Sequence, residues 1–502
     1  MDRAWSTSIS LVSILLLGLI LRLAPWGYNR FLEDEALYAY WGLQIASGAD
    51  PMLDYEPVDK PPLHPYVLAL SFLLFGQISP SQSDVSGLTA HLHQNETAAR
   101  LPSLFASVTG IALIYALALK LYGDRTVGLL AALLLALSPF DLLFASTVFT
   151  DPLMTALVLA ALLAAAAGKP GTAGVLIALA AATKQQALFF LPLVVVIGLL
   201  GSAEERTPRR WVWFVLGFAA VAAGVIGWDL AREQRPGFFL QSLISYGGLE
   251  PALPKTLGVR AIEWLQRMGD FWVSPWFNGL LVIGLISWLV GGFARWWPGW
   301  TRIDLALGGF VVFFLAVHWL IGFQIWARYL LGLVPLVALL AARAFVTLGR
   351  GFRVASWRRA YPIVLGLVLV LALGGPVLQA TRSELPLGGD HGAYDGLDDL
   401  ASYLHTQAPP GSVLYHYWLG YHYHFYLYGM PIRLHWYPEL QDLAQDAYVY
   451  RREPRYIAFP SWRDGRPAEE ALTSVGARLV PVFETTRRDG TVSFRLYRLE
   501  GP

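Results

Sequence analysis

The sequence predicts a polytopic α-helical membrane protein that ends in a small α/β domain, and three observations carry that prediction. Hydrophobic residues make up 55% of the chain against 15% charged, with a mean hydropathy of +0.48, a balance that many spanning segments produce. Apolar runs near the length that crosses a bilayer recur through the first three quarters of the chain. Beyond Thr381 the chain turns polar, and helical patterns alternate there with short extended ones.

The first segment, Ile9 to Leu23, follows Asp2 and Arg3 and has the look of a signal peptide. No small-residue cleavage site follows it, however, and Pro25, Trp26 and Tyr28 read as an interfacial anchor, so it is taken as a spanning helix. Further spans are expected near 99–119, 126–146, 152–168, 172–184, 187–201, 211–229, 276–293, 303–322, 329–347 and 361–379, which with 9–25 makes eleven. The positive-inside rule puts Arg206, Arg209 and Arg210, then Arg295 and Arg302, then Arg350, Arg353, Arg358 and Arg359 on the cytoplasmic side. Arg125 and Lys169 fall inside by the same count.

The apolar stretch Leu63 to Phe75 is excluded from the spans. If it crossed, Arg206 would share a side with Asp34; at thirteen residues it reads better as a re-entrant or interfacial helix. Residues 26–98 then form one external loop, within a membrane domain of residues 1–380. Residues 381–502 form the external α/β domain, linked through Gly388-Gly389-Asp390. A helix is expected over Leu397 to His405, and strands over Ser412 to Tyr417, Arg455 to Phe459, Leu479 to Phe483 and Val492 to Tyr497.

A formal net charge of +1 argues against nucleic acid as a partner, because a polyanion normally needs a basic face. The absence of cysteine excludes disulfides, thiolate metal ligands and thiol catalysis. Chemistry concentrates instead between Phe31 and Pro65, where Glu33-Asp34-Glu35 and Tyr38 precede Asp59-Lys60-Pro61-Pro62-Leu63-His64. Carboxylates and a lysine so near the end of a hydrophobic segment point to a reaction at a membrane surface.

That order continues with Leu74 to Gly76 closing a short hydrophobic helix, then Ala98 to Ser103, and it resembles the GT-C glycosyltransferases of the aminoarabinose-transferase and protein O-mannosyltransferase branch. Thr150-Asp151-Pro152 at an external corner, Thr183-Lys184 near a span end, and Arg328-Tyr329-Leu330-Leu331 with Pro335 extend the likeness. The resemblance implies a GT-C type membrane enzyme that takes a sugar from a polyprenyl-phosphate carrier and passes it, with inversion, to an acceptor hydroxyl outside the cytoplasm. It further implies an inner (plasma) membrane location with the active site and C-terminal domain on the extracytoplasmic side. The acceptor stays unidentified. In the aminoarabinose transferases an arginine stands directly before the motif tyrosine and helps bind phosphate, whereas this chain has Leu37 there. Arg328, Lys184 or Arg100 are the available substitutes for that charge.

The residues fit such chemistry. A hydroxyl acceptor must lose a proton, for which Asp34 is the candidate base. A lipid phosphate gains negative charge as it leaves, for which Lys60 and Arg328 are the candidate cations. Glu35 is placed to orient Asp34, to help bind a metal, or to cap a helix. Tyr38, His64, Arg100, Asp151, Lys184 and Tyr329 complete the expected substrate-binding set. Each has a plainer reading: acidic loop residues are often merely solvated, and Lys60, Lys184 and Arg328 at span ends suit snorkelling. Arg100 and Asp151 suit a structural ion pair. The sequence names no certain cofactor and leaves a divalent cation open, since Asp34, Glu35 and Asp151 are the right ligand type for one.

In the tail, Tyr415-His416-Tyr417-Trp418 and Tyr421-His422-Tyr423-His424 suit sugar stacking, metal ligation, or ordinary placement at a membrane interface. A transporter or flippase for lipid-linked sugars is the competing function; against it, no internal repeat is visible and the acids lie in a loop. A membrane scaffold without activity leaves the Asp34 and Lys60 motifs unexplained. Because the chain lacks cysteine, single cysteines along Leu63 to Phe75 are expected to label from outside the membrane at both ends. Labelling of the Phe75 end only from the cytoplasm overturns the topology.

Overall fold

The computed structural model describes residues 2–77, 88–200, 208–246, 250–293, 301–352 and 354–501. Of the basic residues used to orient the spans, Arg206, Arg295 and Arg353 lie outside those residues, as do residue 201 at one span end and residues 78–87 of the first loop. The chain divides into two compact units. One comprises Met1–Trp26, Met52–His64 and Pro102–Gly388, the other Gly27–Pro51, Pro65–Leu101 and Gly389–Pro502.

Each of the eleven expected spans falls largely on helix where described, with breaks such as Leu137–Ser138 and non-helical ends such as Ile321–Gly322. Among the described residues, seven helices are long and apolar enough to cross a membrane: Ser8–Gly27, His91–Tyr122, Arg210–Ala231, Pro275–Gly292, Arg302–Leu320, Ala327–Gly351 and Ala355–Thr381. An eighth is the pair Arg125–Ala136 and Pro139–Ala145 if counted as one bent span. The bend of 61° has a local cause. Pro139 cannot donate to the preceding turn, and the Ser138 hydroxyl starts a new helix by accepting from the Asp141 amide. Three expected spans, Asp151–Ala166, Pro170–Thr183 and Gln185–Leu199, are shorter apolar helices. The excluded stretch is a helix over Leu63–Phe75, with the predicted bounds.

Within the first unit, Ala327–Gly351 is the central element, with 94% of its apolar window buried. The helices Pro170–Thr183 and Pro208–Ala231 approach closely because Gly174 has no side chain. A Cβ there would stand 2.1 Å from the Phe214 carbonyl oxygen. Arg22, fully buried, ends the first helix inside protein. Its Nε donates to Ser107 Oγ at 2.6 Å and its Nη2 to the Leu135 carbonyl at 3.1 Å, while the same guanidinium pairs with Asp141.

The second unit is built on a five-stranded sheet in the order β2-β1-β3-β5-β4, with β1 Val413–His416, β2 Arg433–Trp436, β3 Arg455–Pro460, β4 Arg478–Thr486 and β5 Val492–Glu500. β1 runs parallel to β2 and β3, whereas β3–β5 and β5–β4 are antiparallel. Four strands match expectation; β2 is additional. It is a four-residue edge strand, Arg-Leu-His-Trp, too short and too mixed to show alternation. The helix foreseen near Leu397 spans Leu397–Gln407, and Leu440–Val449 and Arg466–Ser474 pack against the sheet around Val413, Tyr415, Ile457 and Leu472. The same unit contains the Glu33–Ser47 helix, where Gly42 lets Leu68 and Phe72 come close.

Removing Arg22 alone leaves Asp141 as a buried, uncompensated acid. Arg22→Met is expected to cost about 3–5 kcal/mol, and Arg22→Met with Asp141→Leu to recover most of that. Thermal unfolding in detergent micelles measures both; equal melting temperatures for the two variants would remove the ion pair from the account.

Candidate functional site

Several expected site residues meet in the first unit. Lys184 follows the last residue of the Pro170–Thr183 helix in extended conformation, which turns its side chain out of the helical path. Its ammonium donates to Asp151 Oδ1 at 2.6 Å, with both side chains buried. Asp151 opens the Asp151–Ala166 helix, where the unpaired amides of a first turn favour a carboxylate. Lys184 also lies 4.6 Å from the centre of the Tyr329 ring. Arg328 stands over Phe149 at 4.5 Å and Trp326 at 5.0 Å. Both Arg328 and Lys60 lie near enough to act electrostatically on Lys184.

Lys60 is buried too and reaches Asp59 at 3.0 Å. Gln185 ties this segment down by donating to the Asp59 carbonyl at 3.0 Å, while Gln186 donates to the Tyr329 carbonyl at 2.9 Å. His64 is buried, with Nε2 at 2.8 Å from the Val148 carbonyl. Three cations, Lys60, Lys184 and Arg328, thus share one neighbourhood with two carboxylates and several aromatic rings. Lysines and arginines gathered this way can hold a phosphate by charge-assisted hydrogen bonds.

The acidic motif lies in the second unit. Glu33, Asp34 and Glu35 form the first turn of the Glu33–Ser47 helix. Asp34 is half-buried. Glu35 is buried and accepts from the Leu32 amide at 3.0 Å, so it does cap the helix, one of the three roles open to it. Glu33 accepts a hydrogen bond from the Tyr394 hydroxyl, and burial together with that carboxylate pushes the Tyr394 phenol up. Tyr38 is buried, its ring 5.6 Å from that of Trp41.

Arg100 donates to the Asn29 carbonyl at 2.7 Å and reaches Glu96 at 3.5 Å, with Phe31 beneath its guanidinium at 5.0 Å. It belongs to a larger network. Arg30 pairs with Glu96 at 2.6 Å and Asp398 at 3.3 Å, His93 lies 2.7 Å from Asp398, and the Tyr426 hydroxyl donates to Glu96. Burial raises the Asp398 carboxyl, but the bond from His93 and the charge of Arg30 outweigh it and hold the group below its ordinary range. Arg30, Glu96 and Asp398 were not among the expected residues. Their connection spans more than three hundred positions of sequence, and no local pattern announces it.

The tail's histidine and aromatic cluster divides by burial. Tyr415, His416, His422 and Tyr423 are core residues, whereas Tyr417, Trp418 and Tyr421 are exposed. His422 Nε2 lies 2.9 Å from the Phe31 carbonyl, and burial lowers its imidazole. Burial, reinforced by His424 and His435, lowers His416 to about 4. Among the described residues no group of three or more histidine, aspartate or glutamate side chains gathers that could hold a metal.

Residues 85–228 match the family of dolichyl-phosphate-mannose-protein mannosyltransferases. No curated protein sequence matches the chain significantly. Among solved structures, apo ArnT from Cupriavidus metallidurans aligns over 98% of both chains with a TM-score of 0.66 at 14% identity. ArnT bound to undecaprenyl phosphate aligns over 99% of this chain and 98% of its own with a TM-score of 0.61, again at 14% identity. The Archaeoglobus fulgidus oligosaccharyltransferase aligns at 0.54 and 13% identity over 97% of this chain and 74% of its own. Fold and sequence signature therefore agree with the first-loop motifs: this chain has the GT-C membrane-glycosyltransferase fold of the aminoarabinose-transferase and protein O-mannosyltransferase type.

Proposed function

We propose that this protein transfers a sugar from a polyprenyl-phosphate donor to an acceptor hydroxyl at the outer face of the plasma membrane, with inversion at the anomeric carbon. The observation that carries this reading is the gathering of Lys60 and Arg328 near Lys184, which Asp151 holds at 2.6 Å, beside the rings of Phe149 and Tyr329. A departing lipid phosphate needs fixed cations, because its charge grows as the bond to the sugar breaks and preorganised cations stabilise that change most in the transition state. Asp151 limits the mutual repulsion of the cations before donor arrives, and the rings offer apolar surface to a prenyl chain.

Asp34 serves as general base. It sits on a rigid helical turn whose neighbours Glu33 and Glu35 are both held by hydrogen bonds, so its own position is well supported. Arg328 and Lys184 take over the phosphate contact that Leu37 cannot make. The membrane portion, residues 1–380, carries the chemistry, and residues 381–502 form an extracytoplasmic domain. The likeness in fold to ArnT, one structure of which is bound to undecaprenyl phosphate, supports the donor class.

Asp34→Asn is expected to lower kcat by about 10² to 10⁴ with donor binding unchanged. Full transfer by a folded variant would sink the base assignment. Lys60→Ala and Arg328→Gln are each expected to raise the apparent KM for the lipid donor about tenfold, the equivalent of one lost contact of 1.4 kcal/mol. The acceptor's KM should hardly move; a change confined to the acceptor would reassign both cations.

A further inference from the structure

The α/β domain carries a cavity of about 290 Å³ that the transfer chemistry does not use. Its position follows from the sheet order. The chain leaves β1 for β2 on one side, then returns past β1 to place β3 on the other, so the carboxyl ends of β1 and β3 diverge. In open α/β sheets ligands bind at such a reversal. Tyr417 and Trp418 follow β1, Tyr437 follows β2, and Arg463 and Asp464 follow β3; all five line the cavity.

The lining is built for a ring bearing a negative charge. Trp418 and Tyr417 are 46% and 41% exposed and line the cavity, which leaves ring surface for stacking. Arg463 has no carboxylate partner among the described residues. Its guanidinium lies 4.0 Å from the centre of the Trp418 ring and 5.5 Å from that of Trp462. The neighbouring Asp464 is already engaged by Arg466 at 2.7 Å. His416, only 7% exposed, closes the inner end, and its Nδ1 finds no hydrogen-bond partner among the described residues. An uncompensated guanidinium fork beside aromatic faces matches a carboxylate held on a pyranose ring, because the fork pairs with both oxygens while the ring's C–H face packs on the indole.

We propose that this cavity binds an acidic sugar residue, with Arg463 pairing to its carboxylate and Trp418 and Tyr417 flanking its ring. None of the residues that line the cavity is among those assigned to transfer. The site bears on the proposed function only in suggesting that the acceptor is an acidic glycan, held through a residue other than the one that reacts.

Binding is tested on the full chain in lipid nanodiscs, free of sugar-based detergents, by isothermal titration with glucuronate, methyl glucoside and inorganic phosphate. Glucuronate is expected to bind saturably at one site, at least tenfold more tightly than methyl glucoside or phosphate. Arg463→Ala and Trp418→Ala, both at exposed positions, should each weaken it at least tenfold with unchanged melting temperature, and Arg463→Lys should fall between. Equal affinity for phosphate and glucuronate would mean a bare anion site and overturn the proposal, as would undiminished binding by Arg463→Ala. Because the readout is binding, its failure is distinct from a failure of Asp34→Asn to abolish transfer.

Discussion

The charge of Lys184 has almost no water around it, and the arrangement of the first unit's site depends on how that charge is compensated. Burying an ammonium ion is costly unless a counter-ion and hydrogen bonds replace its solvent. Asp151 supplies the counter-ion at 2.6 Å and Tyr329 an aromatic face at 4.6 Å. The compensation requires three segments to meet: the end of the Pro170–Thr183 helix, the start of the Asp151–Ala166 helix, and the turn at Ala327–Leu333. Once these are fixed, Arg328 is carried to Phe149, and Gln185 and Gln186 pin the neighbouring backbone.

Two acids, Asp59 on Lys60 and Asp151 on Lys184, beside three cations leave the neighbourhood with one cation in excess. Were each cation matched by its own buried acid, a phosphate would gain little by entering; were none matched, mutual repulsion would oppose folding. The intermediate arrangement suits a site that must accept an anion and later release it. The same economy operates in the second unit, where Arg30 and Arg100 share Glu96, and Arg30 and His93 share Asp398. There the acids are nearly enclosed and fully engaged, so the network reads as architecture that holds the loop and tail segments of that unit together.

The α/β domain shows the opposite use of aromatic residues on its two sides. Tyr415, Tyr423 and His422 are consumed by the core, while Tyr417, Trp418 and Trp462 stay at the surface around the carboxyl ends of the parallel strands. A run such as Tyr415-His416-Tyr417-Trp418 therefore holds both kinds of residue within four positions. The strand ends at His416, and that ending separates buried from exposed side chains.

The sequence by itself determined the class of protein, because apolar length is a local property that the bilayer reads directly. It also determined the bounds of the Leu63–Phe75 helix, four of the five strands, and the GT-C likeness, each carried by contiguous residues. Tertiary structure alone decided which cations keep company. Lys60, Lys184 and Arg328 are separated by more than a hundred residues at each step, and only the packing of helices brings their charges together. It likewise decided that Arg100 joins Arg30 and Glu96, that β2 exists at the sheet edge, and that one expected span bends by 61° at Pro139. Those outcomes depend on compensation of buried charge and on partners distant in the chain, whereas hydropathy and motif order depend on neighbours.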